Sequence, residues 1–490
     1  MGGTILLLVE GIATEVKRPL FSCVMPVKGI LHTKVTNSLL LLIVAVALFT
    51  FLANPYFGVP GCDSSIFIYV ARRMMAGQVP YLDVFDQKGL LLYVLDAIGW
   101  RLGNVMGIWA LDILAFALGL WLMTRIACVE PVALSIWIVL YHLVACGGNM
   151  PEMWIIVFSG LAYVLALKVR TDESWKWFVT GVCLAQIFML KLNMIAVAVP
   201  IGIVWLMRGA TVRPVLLGLA GCVVGLLPYF AYLTLQGAWG AFCEVYIRYN
   251  AQYAARGGWV PSVSRAFYPI AVLWGVNLWM SLLTRRQDAW INFAYLTAAW
   301  GLVLLSGGSV RYYGPVLPAC IIPLDFVAEI VRGRSSHAWK VCSCVVLSLS
   351  LLTLAGLVVV RNRPASEVRA QYEELRTVAG RIEDRKSVTV LGCDCHVYQV
   401  LDVVCPGRFP FQGTVSRCSE TYRNIMVSDL KEGKSRYLIV PRGALENPRE
   451  LGLAWAVRPI AEHYRLLAQT SHYEIFEFKS GERNLREVTL

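Results

Sequence analysis

A succession of apolar stretches, each close to the length of one membrane-crossing helix and joined by short polar segments, limits this chain to very few folds. The stretches fall near 37–56, 104–124, 131–147, 153–168, 177–192, 194–207, 215–236, 266–284, 289–305, 312–331 and 341–360. A bilayer core takes roughly 20 helical residues, because a strand or loop crossing it would leave backbone groups without partners. The pattern predicts a mainly α polytopic membrane protein with about eleven transmembrane helices. Composition agrees: 16% of residues are charged and 57% hydrophobic, with mean hydropathy +0.61. A soluble chain carries about 25% charged residues, so both a soluble enzyme and a disordered chain are excluded. The net charge is +12. Its Lys and Arg are scattered between apolar runs, which argues against a nucleic-acid partner and for orientation in a lipid bilayer.

Loops rich in Lys and Arg stay in the cytoplasm. Every second joint is basic: Lys17, Arg18, Lys28 and Lys34; Arg125; Lys168, Arg170 and Lys176; Arg208 and Arg213; Arg285 and Arg286; Arg332, Arg334 and Lys340. Residues 1–36 are therefore expected as a cytoplasmic segment, 37–360 as the membrane module, and 361–490 as an extracytoplasmic domain. The run Ile5–Val9 is too short for a signal-peptide core, so the first span serves as the insertion signal.

On the outer side the segment 57–103 is too long for a turn. Ile66, Phe67, Val70 and Met74 recur at helical spacing from Ser64 to Met75, with Asp63 at the N-cap position and Gly77 as a closing glycine. Leu90 to Leu102 reads as a second amphipathic helix. Both are too short and polar to span and are expected along the membrane surface. Asp63, Asp83, Asp86 and Lys88 gather here at the membrane boundary, where charges are costly unless paired or facing a wet cavity. Taken singly, Asp63 reads as a helix cap and the other three as a solvated turn with a local ion pair.

Cys62-Asp63-Ser64 with Phe67 and Tyr69, Pro80-Tyr81, and Phe85-Asp86-Gln87-Lys88-Gly89-Leu90 with Tyr93 resemble the first outer loop of the GT-C membrane glycosyltransferases, the protein O-mannosyltransferase-like and aminoarabinose-transferase-like group. The motif match covers residues 54–100 and the topology covers the whole chain. Ser64 stands where many relatives carry a second acid, and Leu90 where proline is common. Loops like Gly147-Gly148-Asn149-Met150-Pro151-Glu152 in bacterial relatives carry an Asn and a Glu. Glu152 alone reads equally as a favourable charge at a helix start. Arg311-Tyr312-Tyr313-Gly314-Pro315 resembles the aromatic, Pro-containing motif before a late span, with snorkelling and aromatic-belt anchoring as the plainer reading. Lys191, with Asn193, lies in an apolar stretch at an outer turn and either snorkels or binds an anion.

The resemblance implies transfer of a sugar from a polyprenyl-phosphate donor to an extracytoplasmic glycan, lipid or protein acceptor, at the outer face of a bacterial plasma membrane. Such chemistry needs a carboxylate to take the acceptor's proton and cations for the leaving phosphate. Asp63 is the expected base. Lys88, Lys191 and Arg311 are the expected phosphate cations, with Asp83, Asp86, Asn149, Glu152 and Tyr312 as further substrate contacts. The sequence fixes no cofactor; a divalent cation, Mg or Mn, stays open, although Ser64 speaks against a metal site built on paired acids. The sequence holds no P-loop, no GxGxxG after a strand and no HExxH. A transporter or flippase for lipid-linked oligosaccharides should show internal repeats and deep charges. No repeat is visible, and Asp112 and Asp325 can sit near span ends. A non-catalytic lipid-binding protein is the third reading.

Beyond residue 361 a small α/β domain is expected. A helix carries Val368, Tyr372, Leu375, Val378 and Ile382, and strands fall at Ser387–Leu391, Arg436–Val440, Tyr464–Ala468 and Tyr473–Phe478. Cys405–Gln412 reads as a loop facing the membrane site. Outside the cytoplasm at least one disulfide is expected among Cys393, Cys395, Cys405 and Cys418, with zinc at Cys393-x-Cys395-His396 as the alternative.

Overall fold

The computed structural model describes residues 34–127, 129–168, 173–256, 266–306, 309–334 and 336–479. Lys17, Arg18, Lys28, Arg170 and the run Ile5–Val9 lie outside them. The membrane module consists of α1 (Lys34–Leu48), the outer-loop helices α2 (Cys62–Met75) and α3 (Leu90–Gly103), then α4 (Val105–Ile126), α5 (Pro131–Ala145), α6 (Pro151–Leu167) and α7 (Ser174–Phe188). A tight turn at Leu192–Val197 enters α8 (Ala198–Met207), followed by α9 (Val212–Leu235) and α10 (Trp239–Phe242). A π-helical stretch at Cys243–Tyr249 leads to α11 (Asn250–Arg256), α12 (Phe267–Thr284) and α13 (Gln287–Leu305), and a second tight turn at Val310–Val316 leads to α14 (Leu317–Arg334) and α15 (Ser336–Val378).

Each of the predicted apolar stretches contains a helix, and among the described residues 6 are long and apolar enough to cross a membrane. The chain is a multi-pass membrane protein. The shorter apolar helices include α1, α5 and α6. The first stretch, expected to run to 56, stops being helical at Leu48 because turns at 49–57 carry the chain to the outer loop. The last does not end at 360. It continues through Pro364 as one helix of 43 residues, so the expected boundary at 361 falls inside α15. Between α7 and α9 the backbones touch: a Cβ at Gly181 or Gly221 would collide with the carbonyl of Gly218 or Phe178. Lipid supplies no hydrophobic drive between helices, so close packing of small residues holds such pairs together.

The tail adds α16 (His396–Leu401), α17 (Gly413–Cys418), α18 (Glu420–Lys431) and α19 (Val457–His463) around four strands. These are β1 (Val388–Val390), β2 (Tyr437–Pro441), β3 (Tyr464–Gln469) and β4 (Tyr473–Phe478), in the order β1-β2-β4-β3. Only β1 and β2 pair in parallel. The strand alternation serves two cores. Tyr437 and Ile439 join Phe67, Tyr69, Phe85 and Tyr249 of the outer loops, whereas Leu438 and Val440 join a core confined to the tail. The tail is thus seated on the first outer loop. Tyr69 and Tyr398 rings lie 4.6 Å apart, the Tyr69 hydroxyl accepts from Cys405 N–H at 3.0 Å, and Arg72 pairs with Asp402 at 3.1 Å.

The expected disulfide does not form: Cys393, Cys395, Cys405 and Cys418 are all free thiols. Cys395, Cys405 and Cys418 are buried among apolar side chains, Cys395 donating to the Pro410 carbonyl and Cys405 lying 3.5 Å from Thr389 Oγ1. Cysteine there fills space as a small apolar residue.

Candidate active site

The start of α2 places the Asp63 carboxylate. Gly61, not Asp63, occupies the cap position, and Asp63 lies in the first helical turn. Its carboxylate pairs with Arg311, which the turn Val310–Val316 carries in from 248 residues away. The pair is half-exposed, at 37% for Asp63 and 42% for Arg311. Burial opposes the charge on Asp63, but Arg311, then Lys88 and Lys191, outweigh it and hold the carboxyl below its ordinary value.

Lys191 follows α7 and pairs with Glu152, whose side chain is only 1% exposed in the first turn of α6. The ammonium also lies 4.6 Å from the centre of the Tyr312 ring. Lys88 lies 5.6 Å from the Phe67 ring centre and makes no ion pair among the described residues. What brings Lys88 towards Lys191 is a backbone contact. Gly89 N–H donates to the Leu190 carbonyl at 3.1 Å and Leu91 N–H to that of Met189 at 3.0 Å. A Cβ at Gly89 would strike the Met189 carbonyl, so only glycine allows this approach.

Asp86 lies directly behind. It is buried, accepts hydrogen bonds from the Tyr93 hydroxyl and Gln87 N–H at 2.8 Å each, and has its pKa raised, by burial above all. Tyr93 in turn accepts from Lys88 N–H at 3.2 Å, so Asp86 orients the Lys88 turn through Tyr93. Two expected contacts are not brought to the cluster. Asp83 is exposed and accepts from Val79 N–H at 2.7 Å, closing its own turn. Asn149, in a left-handed backbone conformation, donates its side-chain amide to Ser64 at 2.8 Å and Asp96 at 3.2 Å, beneath α2. Its N–H donates to Asp112 at 2.7 Å. Sequence reasoning missed this support because Asp96 and Asp112 stand in unremarkable helical patterns. It is also where Ser64 finds its partner.

Beside the cations a narrow cleft of about 60 Å³ is lined by Met194, Val197, Pro200, Leu302, Val303 and Tyr312. Tyr312 therefore forms both the apolar wall and the seat of Lys191. Above the site the loop Cys405–Gln412 docks on the first outer loop: Arg408 donates to the Tyr81 carbonyl at 2.6 and 2.9 Å, and Phe409 lies 5.4 Å from Phe85. Among the described residues no three His, Cys, Asp or Glu side chains gather as a metal site, including at Cys393-x-Cys395-His396.

The crystal structure of ArnT from Cupriavidus metallidurans bound to undecaprenyl phosphate is similar at a TM-score of 0.60, with 14% identity over 90% of this chain and 98% of that one. Its apo state gives 0.59 with the same identity and coverage. The chain has the same polytopic fold as that ArnT structure. The Archaeoglobus fulgidus oligosaccharyltransferase, crystallised with Zn and sulfate, is similar at 0.48, with 9% identity over 87% of this chain and 71% of that one. By sequence, residues 29–204 match the family model of the competence-induced Ccs4 N-terminal domain. No curated protein matches the chain by sequence. In this fold the cluster of Asp63, Lys88, Lys191 and Arg311 lies at the loop 57–103, beside the mouth of an apolar cleft.

Proposed function

We propose that the chain is an integral membrane glycosyltransferase that moves a sugar from a polyprenyl-phosphate donor to an acceptor hydroxyl outside the cytoplasm. The observation that carries this reading is the half-exposed Asp63–Arg311 pair, flanked by Lys88 and Lys191 at the mouth of an apolar cleft. The ArnT fold, seen with undecaprenyl phosphate in that protein, supports it. The isoprenoid lies in the cleft against Tyr312, Val197 and Leu302, and the phosphate meets the cations. Asp63 is the general base, and its carboxylate takes the proton as the acceptor oxygen bonds to the anomeric carbon. The bond from that carbon to the phosphate oxygen breaks, and its electron pair leaves on the phosphate. Lys88, Lys191 and Arg311 stabilise that charge.

A carboxylate held below its ordinary pKa is a weak base. Arg311 resolves this by exchanging partners: once a donor phosphate engages the guanidinium, Asp63 loses its strongest cation and becomes more basic. Lys88, free of any ion pair among the described residues, is the cation that meets the phosphate first. Glu152 holds Lys191 in place, and Asp86 holds the Lys88 turn. The basic joints support an N-terminus in the cytoplasm and a tail outside it. The acceptor is an extracytoplasmic glycan, lipid or protein of the cell envelope.

The test is transfer of radiolabelled sugar from a polyprenyl-phosphate donor by the purified full chain in detergent, comparing wild type with Asp63→Asn. Loss of a general base lowers the rate by roughly 10² to 10⁴. An unchanged rate would end the base assignment.

A further inference from the structure

Lys88, the cation proposed to meet the donor phosphate first, is held through its backbone on three sides. The carbonyl before it, of Gln87, accepts from the Asn250 side-chain amide at 2.9 Å, and the N–H after it, of Gly89, donates to the Leu190 carbonyl at 3.1 Å. Its own carbonyl lies 2.7 Å from the Tyr81 hydroxyl and 3.2 Å from that of Tyr93. A phenol has one proton to give, and Tyr93 gives its own to Asp86 at 2.8 Å. Tyr81 is therefore the hydroxyl donor that fixes the Lys88 carbonyl.

Tyr81 holds an unusual backbone conformation. Its φ is 70°, in the left-handed region, where a bulky residue persists only if its surroundings over-determine it. The ring is fully buried against Phe242, Tyr246 and Tyr93, at centroid distances of 5.5, 6.2 and 6.2 Å. The backbone is held from the tail, 327 residues away. Arg408 donates Nε and one Nη to the Tyr81 carbonyl, at 2.9 and 2.6 Å, and its own carbonyl accepts from Phe85 N–H at 2.7 Å. One tail residue thus closes both ends of the turn 81–85. Its other Nη lies 3.6 Å from Glu244 of the π-helical stretch, which also accepts from the Tyr422 hydroxyl of α18, so the guanidinium is itself fixed in place.

We propose that Arg408 is a positioning residue for Lys88 and acts through Tyr81, so that the tail completes the site for the donor phosphate. The guanidinium holds the Tyr81 carbonyl in the left-handed turn, and the turn aims the Tyr81 hydroxyl at the Lys88 carbonyl. The Lys88 ammonium, without an ion pair among the described residues, is left poised for an anion. Without Arg408 the turn relaxes towards ordinary backbone angles and the hydroxyl leaves Lys88. The ammonium then spreads over more positions, and ordering it again costs affinity for an anion. The inference rests on the transferase reading for the identity of that anion, but the link from Arg408 to Lys88 can be tested without a donor.

Two measurements on the full chain in detergent test it. One is undecaprenyl phosphate affinity by calorimetry. The other is the rate at which a succinimidyl acetate reagent acetylates Lys88, read by mass spectrometry against the exposed Lys386 as internal reference. Tyr81→Phe keeps the ring and removes only the hydroxyl. It and Arg408→Met should each speed Lys88 acetylation by about threefold or more, and weaken undecaprenyl phosphate by about three- to tenfold. Arg408→Lys still offers a donor to the Tyr81 carbonyl and should stay within about twofold of wild type in both measurements. Tyr81→Phe combined with Arg408→Met should be no worse than the poorer single variant, as expected of residues acting in one chain. A purely structural arginine would lower the thermal midpoint and leave Lys88 acetylation unmoved. Unmoved acetylation in both single variants, with undecaprenyl phosphate still bound by wild type, would overturn the inference and leave the transferase reading standing. Losses that multiply in the double variant would overturn it too, and so would a loss in Arg408→Lys as large as in Arg408→Met, which would assign the effect to the Glu244 pair. Faster acetylation in both variants of a chain whose wild type ignores undecaprenyl phosphate would count against the transferase reading and for the link from Arg408 to Lys88.

Discussion

Asp63 and Asp96 belong to the same outer loop, yet their surroundings give them opposite chemistry. Asp63 opens α2 beside Arg311, Lys88 and Lys191, and stays ionised at neutral pH. Asp96, in α3, is buried with a single amide partner from Asn149, and burial pushes its pKa up to about 8. The first is a half-exposed anion, and the second is a mostly protonated group in the neighbouring helix. Which carboxylate is ionised is therefore decided by the neighbouring cations, not by the residue type, and the proposed base is the ionised one. The sharpest break in the comparison comes from substituting each in turn. Asp63→Asn should lower sugar transfer by roughly 10² to 10⁴ with little change in thermal midpoint, because the pair it breaks is half-exposed. Equal losses of midpoint in Asp63→Asn and Asp96→Asn would erase the distinction.

The two cation pairs extend it. Lys191→Met leaves Glu152, 1% exposed, with a buried charge and no partner, at a cost of about 3–5 kcal/mol. Arg311→Met leaves Asp63 with access to water and should cost well under about 1 kcal/mol. Both should weaken undecaprenyl phosphate binding, but only Lys191→Met should lower the unfolding midpoint strongly. Glu152→Gln combined with Lys191→Met should restore much of that midpoint without restoring binding.

Titration separates the two aspartates next. The folded pKa of Asp96 is raised from 3.8 to about 8, so between those values the folded chain keeps a proton that the unfolded chain has released. Its contribution to stability is whole below the lower value and fades as pH climbs towards the upper one, by up to about 1.4 kcal/mol per pH unit. Asp96→Asn should flatten the midpoint against pH over that window. Asp63 has the opposite sign: its folded pKa is lowered, so what it contributes is present above the unfolded value of 3.8 and is lost only as pH falls below it. Asp63→Asn should leave the midpoint profile above pH 4 unchanged. A wild-type profile without slope between pH 4 and 8 would show that Asp96 is ionised.

Much of the architecture was legible because apolar length and strand alternation are local signals. The strand predicted at 473–478 is β4 to the residue, and the helix expected at 90–102 is α3 within one residue. The end of the last membrane helix was not legible. The change to a soluble composition beyond residue 361 reads as a boundary, whereas packing of these residues on the loop 57–103 lets one helix continue. At the site, Asp63, Lys88, Lys191 and Arg311 could each be picked out as charges beside apolar runs, and the structure brings these four together. Their partners could not, since Glu152 is 39 residues from Lys191 and Asp63 is 248 from Arg311. The partners of Asn149, expected as a substrate contact, were hidden for the same reason: Asp96 and Ser64, which take its amide, are 53 and 85 residues away.

Asp83 tests the smallest difference, that between a charge near the site and a charge in it. It is three residues from Asp86 and carries the same carboxylate, but that group accepts from Val79 N–H and closes an exposed turn. A turn hydrogen bond of this kind contributes about 0.5–1.5 kcal/mol. Asp83→Ala should therefore lower the thermal midpoint slightly and leave both undecaprenyl phosphate affinity and sugar transfer within about twofold of wild type, since a change below roughly 0.4 kcal/mol is all that a distant, screened charge should cause. Asp83→Asn should recover most of the midpoint, because the side-chain carbonyl still accepts from Val79. A loss of transfer in Asp83→Ala approaching that of Asp63→Asn would mean that the turn moves towards the cations when the donor binds, and the division of labour among the loop carboxylates would have to be redrawn.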